Sequence, residues 1–150
     1  MTWKIYLAGE IHTPWRDELQ NAVKAINLPV TFYAPVTDHT ASDDCGVRIL
    51  GAESMPFWHD QKGADLNSIR TRTLLSQADI VVVKFGDKYR QWNAAFDAGM
   101  ASALGKPLIV VHPEEFQHAL KEVDSAAQAV TDDCVKVPQL LRYVIEGVLE

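Results

Sequence analysis

The feature that most constrains the fold is a regular alternation of two patterns along the chain. Short apolar runs bounded by turn residues recur at intervals, and most segments between them carry apolar residues at helical spacing. The predicted strands are Trp3–Ala8, Val30–Ala34, Asp79–Gly86, Leu108–His112 and Ala127–Thr131. The predicted helices are 15–27, 65–77, 91–104, 114–123 and 138–149. This alternation predicts an α/β fold with a parallel sheet covered on both faces.

Five strands joined by right-handed crossovers predict a flavodoxin-like, three-layer α/β/α architecture with strand order 2-1-3-4-5. In such sheets ligands bind beyond the carboxyl ends of the strands, at the switch point between strands one and three. We therefore expect Gly9–Arg16 and Gly86–Asp97 to meet there. The chain has 150 residues, of which 47% are hydrophobic, so a single domain spanning 1–150 is expected.

Residues 35–64 show no clear period and are long for a plain connection. They contain two adjacent aromatic residues, Phe57 and Trp58. A long aperiodic loop in a small domain is often functional, because loops on a rigid scaffold carry binding residues. We therefore predict that this segment is a mobile lid over the pocket mouth.

Charge and hydropathy exclude several classes of partner. The net charge is −6, with 14 basic and 20 acidic residues, which does not attract a nucleic-acid polymer. Apolar runs such as Ile80–Val83 are far shorter than the roughly 20 residues that cross a bilayer, so no membrane partner is expected. The first residues do not resemble a secretory signal, and two isolated cysteines are typical of a reducing compartment. The predicted location is the cytosol.

Common cofactor and metal motifs are missing from the sequence. It contains no GxGxxG after the first strand and no GxxxxGK[ST], and its five histidines include no HExxH pair. We predict no metal and no cofactor. A response-regulator interpretation would use Asp87 after strand three, but the predicted fifth strand does not end in the required lysine.

Asp97 is the most informative single residue. It lies in a predicted helix among small residues, with Ala94, Ala98 and Ala101 at neighbouring helical positions. An ionised carboxylate is costly to bury without partners, so the helix would have to face a cavity or supply hydrogen bonds from residues such as Asn93. The alternative is an ordinary acid on a solvated helix face. Composition alone leaves both interpretations open.

Two segments carry a resemblance to a known family. The first strand reads Ile5-Tyr6-Leu7-Ala8-Gly9, and residues 95–107 read Ala-Phe-Asp-Ala-Gly-Met-Ala-Ser-Ala-Leu-Gly-Lys-Pro. Together they resemble the nucleoside 2-deoxyribosyltransferase superfamily, most closely its YtoQ-type branch, over nearly the whole chain. The second segment is the more specific, because family members read Glu-x-Gly-x-Ala-x-Ala-x-Gly-Lys-Pro there.

The resemblance implies roles for individual residues. Asp97 occupies the position of the acid that attacks the anomeric carbon of the sugar, and Tyr6 that of the tyrosine that orients it. Asp65 matches, less closely, the acid that contacts the base. The other residues expected to bind the substrate are Gly9, His12, Gln91, Trp92 and Asn93.

Two departures from the family pattern bear on the chemistry. The nucleophile is Asp rather than Glu, which shortens its reach by one methylene. Gln91 stands where the family has an acid six residues before the nucleophile, and an amide cannot supply a proton as an acid. Protonation of the leaving base is then expected from Asp87, Asp65 or water, and Asp87, at the end of the central strand, is the better placed.

The predicted function is the processing of nucleoside or nucleotide N-glycosidic bonds through a carboxylate nucleophile. The motifs do not choose between transfer of the sugar to a second base and hydrolysis. The alternative is a non-catalytic domain that binds a nucleotide or nucleotide-sugar through the same pocket. The expected ligand is thus a small nucleoside or nucleotide, and the resemblance implies a homodimer or larger homo-oligomer.

Overall fold

The computed structural model describes residues 1–149 and contains a five-stranded parallel sheet of order β2-β1-β3-β4-β5. The strands are β1 (Trp3–Gly9), β2 (Val30–Tyr33), β3 (Ile80–Lys84), β4 (Leu108–Val111) and β5 (Ala129–Thr131). The helices are α1 (Trp15–Ala25), α2 (His39–Leu50), α3 (Pro56–Gln77), α4 (Trp92–Ala103), α5 (Lys121–Ala126) and α6 (Val137–Glu146). The predicted fold class and strand order are confirmed.

The core has two layers, one on each face of the sheet, because successive strand residues point to opposite faces. Ile5 and Leu7 of β1 pack with residues of α1 and α6. Tyr6 and Ala8 point the other way and pack with buried residues of α3 and α4. This alternation places the Tyr6 side chain on the face that carries α4, the helix of Asp97.

The prediction that residues 35–64 form an aperiodic loop is wrong, because most of this segment is helical. Asp38 begins α2 by accepting the Ala41 N–H at 2.7 Å, and α3 begins at Pro56 rather than at residue 65. The two helices pack through Gly46 and Gly63: a Cβ on Gly46 would come within 2.4 Å of Lys62. Contact through glycines leaves no apolar stripe, so the periodicity of these helices is weak.

Two other predicted helices have different bounds. The predicted helix 114–123 is instead a 3₁₀ turn at Glu114–Phe116 followed by the short α5. The terminal helix α6 ends at Glu146 because Gly147 adopts a left-handed conformation with φ of +71°. Glu150, the last residue of the predicted domain, lies outside the described residues. Of the helices within 1–149, none is long and apolar enough to span a membrane.

Candidate active site

The site is built where the loop after β1 meets the loop after β3. Gly9 pairs with Lys84, and the Glu10 N–H donates to the Lys84 carbonyl at 2.9 Å. Gly9 has φ of +117°, and a Cβ there would lie 2.0 Å from the Lys84 oxygen, so a side chain does not fit. Further along, the His12 and Tyr89 rings have centroids 4.8 Å apart. The expected convergence at the switch point is therefore present.

The loop after β3 is held closed by Gln91. Its Oε1 accepts the Gly86 N–H at 2.7 Å, and its Nε2 donates to the Gly86 carbonyl at 3.4 Å. Gly86 in turn packs against Glu10, whose Cγ would be 2.9 Å from a Cβ at that position. Both ends of the Gln91 amide are thus used by the backbone, whereas the sequence predicted that this residue contacts the substrate.

Tyr6 of β1 contributes a buried hydroxyl on the face of the sheet that carries α3 and α4. The residue is fully buried, and its Oη has no hydrogen-bond partner among the described residues, although the Thr71 side chain lies close by. Burial, assisted by the charge of Asp97, raises the pKa of Tyr6 to about 12, against the opposing effects of Thr71, Arg16 and Arg70. The hydroxyl therefore stays protonated at neutral pH and is available as a donor.

Asp97 lies on the inner side of α4 and is only partly exposed. Removal from solvent raises the pKa of its carboxyl to about 6, and the positive charge of Arg16 acts in the opposite direction. No hydrogen bond to the carboxylate is found within residues 1–149. At neutral pH the group is thus mostly ionised and poorly solvated, which is the condition of a reactive carboxylate rather than of an open helix face.

The sequence analysis missed Arg16, which is buried at the end of β1. Its guanidinium donates to the carbonyls of Leu7 at 3.0 Å, Gly9 at 3.1 Å and Glu10 at 2.7 Å. A basic residue in the first turn of a helix opposes the helix dipole. This unfavourable placement was the one indication in the sequence that Arg16 has another role. Contacts from a side chain to backbone carbonyls have no other signature in the sequence.

Glu10 was missed as well. Its carboxylate accepts the N–H groups of His12 at 2.6 Å and Thr13 at 3.0 Å and the Thr13 hydroxyl, and it lies 3.6 Å from the Lys84 ammonium. Burial would raise its pKa, but these hydrogen bonds outweigh burial and hold the pKa below its usual range. Glu10 is therefore an anion that orders residues 10–13 at the site.

The remaining predicted residues are more exposed. Asn93 and Trp92 lie at the start of α4 with exposed side chains, and His12 is exposed on the loop after β1. Asp87 is exposed on the loop after β3. Asp65 lies on the exposed surface of α3, six residues before Thr71 and thus roughly 9 Å further along the helix axis. Asp65 does not contribute to the pKa shift of Asp97.

Two open concavities lie elsewhere, at the carboxyl ends of β4 and β5. One of about 600 Å³ is lined by His112, Asp124, Asp132 and Lys136 among others. The second, of about 590 Å³, shares Asp124 and is lined mainly by 3₁₀ and α5 residues. Neither includes Tyr6 or Asp97. Over the described part of the chain, no three His, Cys, Asp or Glu residues are arranged to hold a metal ion.

Comparison with known proteins identifies the class. The family model described as nucleoside 2-deoxyribosyltransferase YtoQ matches residues 6–145. The uncharacterized protein YtoQ of Bacillus subtilis (strain 168) is 41% identical over 146 residues, which cover 97% of this chain and 99% of that protein. The chain therefore belongs to the nucleoside 2-deoxyribosyltransferase YtoQ family, and the resemblance seen in the sequence is confirmed.

Two solved structures share the fold. A conserved protein from Enterococcus faecalis V583 matches with a TM-score of 0.67 at 13% identity, over 96% of this chain and 99% of that one. A 2-deoxyribosyltransferase from Bacillus psychrosaccharolyticus matches with a TM-score of 0.50 at 19% identity, over 90% of each chain. At these identities the two matches establish the architecture alone.

Proposed function

We propose that this protein cleaves the N-glycosidic bond of a nucleoside or nucleotide with the Asp97 carboxylate as nucleophile. One observation carries the proposal: Asp97 is half-buried on α4, on the face of the sheet where the buried Tyr6 hydroxyl has no hydrogen-bond partner within residues 1–149. Family membership supports the substrate class, because the matching family is described as nucleoside 2-deoxyribosyltransferase.

The reaction has two steps. In the first, the bond from the anomeric carbon to the base nitrogen breaks, the base leaves with the electron pair and takes up a proton, and an Asp97 oxygen bonds to the anomeric carbon. In the second, a base nitrogen or a water oxygen attacks that carbon, gives up its proton to Asp87 or to solvent, and releases the Asp97 carboxylate. A second base as acceptor makes the protein a transferase, and water makes it a hydrolase.

Tyr6 and Asp87 have supporting roles in this proposal. The protonated Tyr6 hydroxyl donates to the carboxylate oxygen of Asp97 that does not attack, and so fixes the direction of the other oxygen. Asp87, exposed on the loop after β3, protonates the leaving base directly or through water. Asp97 is one methylene shorter than glutamate, so the sugar must approach α4 closely.

A second function is favoured by a different observation. Asp87 and Asp65 are both exposed, and within residues 1–149 no second carboxyl group contributes to the pKa shift of Asp97. A site with one carboxylate and one hydroxyl donor is sufficient to hold a sugar through its hydroxyl groups. In this alternative the protein binds a nucleotide or nucleotide-sugar without cleaving it.

One assay separates the functions. The purified protein is mixed with deoxynucleosides, nucleosides or their monophosphates, with and without a second free base, and base release and base exchange are followed by chromatography. Release without a second base indicates a hydrolase, and exchange indicates a transferase. Binding by calorimetry with no turnover of any substrate would favour the binding domain and contradict the proposed chemistry.

Two further expectations belong to the same proposal. The aromatic side chains of Trp92 and Phe96 lie one turn apart on α4 and are 75% and 69% exposed, which favours a second copy of this chain as the partner that covers them. Cys45 and Cys134 are free thiols, which is typical of proteins in the cytosol.

A further inference from the structure

The helical hairpin made by α2 and the first part of α3 extends beyond the sheet. α3 runs antiparallel to the strands, because it leads directly into the start of β3. Arg70 of α3 donates to the carbonyl of Ala34, the residue that follows β2, at 3.3 Å. Residues 56–69 precede Arg70, so they reach roughly 20 Å beyond the end of β2 at 1.5 Å per residue. We call residues 39–69, which comprise α2, the connection and this part of α3, the arm.

The arm, which the structure describes in full, buries no apolar side chain. Its two buried residues are Gly46 and Gly63, where the helices touch. Ordering one residue costs roughly 1 to 2 kcal/mol of conformational entropy, which buried apolar surface normally offsets. Two helices in contact through glycines bury little such surface. The arm is therefore an element that gains stability by packing on a surface outside its own chain.

The tip of the arm is apolar and ordered. The connection is held by Lys62, whose Nζ donates to the Gly51 carbonyl at 2.9 Å and lies 2.6 Å from a Glu53 oxygen. Around it lie five large apolar side chains, each more than half exposed, which we call the tip: Ile49, Leu50, Met55, Phe57 and Trp58. The rings of the last two meet edge to face, with centroids 4.9 Å apart. Such a preformed apolar surface is typical of a docking site.

The charge of the arm favours a second copy of this chain as the partner. The arm carries five acidic and two basic residues, a net charge of −3. Its complement lies elsewhere on the chain, where Lys88 and Arg90 are exposed on the loop after β3, directly before the exposed Trp92 and Phe96. We call these four residues the α4 surface. Opposite charges favour contact between the arm and the α4 surface, whereas two arms, or an arm and an anionic lipid surface, repel each other.

The exposed area also favours a reciprocal contact. A large apolar side chain presents roughly 200 Å² when fully exposed, so the tip presents about 600 Å², and Trp92 and Phe96 together about 300 Å². In a dimer with two-fold symmetry, each protomer gives one tip and receives the other. Each protomer then buries about 900 Å², which reaches the roughly 800 Å² of a stable interface. Contact between two tips alone falls short of this area.

We propose that two copies of this chain exchange arms, so that the tip of each copy packs on the α4 surface of the other. The acidic side chains of the arm then face Lys88 and Arg90, and the exposed aromatic residues of both surfaces are covered in one contact. This inference does not depend on the proposed reaction. A protein that cleaves no nucleoside would still form the dimer, and a monomer would leave the proposed chemistry untouched.

The direct test is photocrosslinking in the full-length protein. A benzophenone amino acid replaces Met55, which is 56% exposed at the tip. This variant is mixed with ¹⁵N-labelled parent protein, so that mass spectrometry distinguishes crosslinks between copies from crosslinks within one. The expected products join position 55 of one copy to residues 86–99 of the other. Crosslinks from tip to tip or to any other surface, or an absence of crosslinks between copies, would overturn the proposal.

The dissociation constant of the dimer, measured by sedimentation at a series of concentrations, gives a second test. Phe57→Glu combined with Trp58→Glu is expected to raise it by at least about 100-fold, because buried aromatic side chains dominate such interfaces. Trp92→Glu combined with Phe96→Glu is expected to do the same. All four side chains are more than half exposed, so circular dichroism should show a folded chain in both variants. Val135→Glu, at an exposed residue on another surface, is the control and should leave the constant unchanged.

The two double variants also separate the exchange from other modes of association. A tip variant that stays dimeric would mean that the α4 surfaces pair with each other, and an α4 variant that stays dimeric would mean that the tips do. Either result overturns the proposal. So does a monomeric parent protein whose tip instead binds phosphatidylcholine vesicles. Lys88→Glu combined with Arg90→Glu is expected to weaken the dimer about 10-fold at low salt and less at high salt.

Discussion

Folding raises the pKa of two side chains, Asp97 and His112, for different reasons. For Asp97, loss of solvent raises the pKa from 3.8 to about 6, so the folded state becomes less stable relative to the unfolded chain as pH rises through that window. For His112, burial opposes the charge, but the Pro113 carbonyl and Asp124 outweigh burial and raise the pKa. Both effects weaken the fold with rising pH, in separate ranges.

The surroundings of the His112 ring suit its protonated form. The residue is 4% exposed, its Nδ1 lies 2.6 Å from the Pro113 carbonyl and its Nε2 lies 2.9 Å from an Asp124 oxygen. Both partners are acceptors, so both ring nitrogens must carry a proton. The stabilisation is complete below the ordinary pKa of 6.5 and is lost as pH rises through the higher folded-state pKa.

We predict that His112→Gln lowers the free energy of unfolding by about 1 to 3 kcal/mol at pH below 6.5, because a charged hydrogen bond is removed. The difference from the parent protein should shrink as pH rises. Urea unfolding at a series of pH values measures it, and His118→Gln, at an exposed histidine, is the control. A difference that is the same at every pH would contradict the imidazolium assignment.

Among the elements, the strands were predictable, as was the second half of α3, whereas α2 and the first half of α3 were not. β3 and β4 are buried on both faces, which requires continuous apolar runs such as Ile80–Val83. Such runs can be recognised from the sequence alone. α2 and α3 pack on each other through glycines and expose Ile49 and Phe57, so their sequences resemble an aperiodic loop.

The residues of the candidate site also include some that could be predicted from the sequence and some that could not. The motif residues Tyr6 and Asp97 were predicted, and Tyr6 is buried on the face of the sheet that carries α4, the helix of Asp97. Arg16 and Glu10 were not, because Arg16 donates to backbone carbonyls at the end of β1 and Glu10 accepts backbone N–H groups of its own loop, and such contacts leave no pattern in the sequence. Gln91 was predicted as a substrate contact but bonds Gly86 of its own loop.

The contact between α2 and α3 leads to a prediction about glycine. A Cβ on Gly63 would lie 2.8 Å from the Asp43 carbonyl oxygen, and the backbone there cannot move without separating the helices. Gly63→Ala is therefore expected to lower the free energy of unfolding by about 1 to 3 kcal/mol. Gly99→Ala in α4 meets no atom within 4 Å and is expected to raise it by about 0.5 to 1 kcal/mol. Equal effects of the two substitutions in urea unfolding would refute close packing at Gly63.

For the whole molecule, the exposed aromatic residues on α4 predict self-association. A stable interface needs about 800 Å² from each partner, and large aromatic side chains such as Trp92 and Phe96 contribute most of the binding energy at such surfaces. The protein should therefore have the light-scattering mass of a dimer or larger assembly, and Trp92→Glu combined with Phe96→Glu should reduce it to a monomer. Val135→Glu, at an equally exposed residue on another surface, is the control. A parent protein that is monomeric at micromolar concentration would contradict this prediction.

The measurement that tests the central claim most directly is the rate of base release as a function of pH, for the parent protein and for Asp97→Asn. The parent rate is predicted to rise with pH through the Asp97 pKa of about 6 and then to level off, because only the carboxylate attacks. Asp97→Asn is predicted to release no base at any pH while its melting temperature is unchanged or higher, because a neutral amide is easier to bury than a carboxylate. Base release by the folded Asp97→Asn variant at the parent rate would show that Asp97 is not the nucleophile.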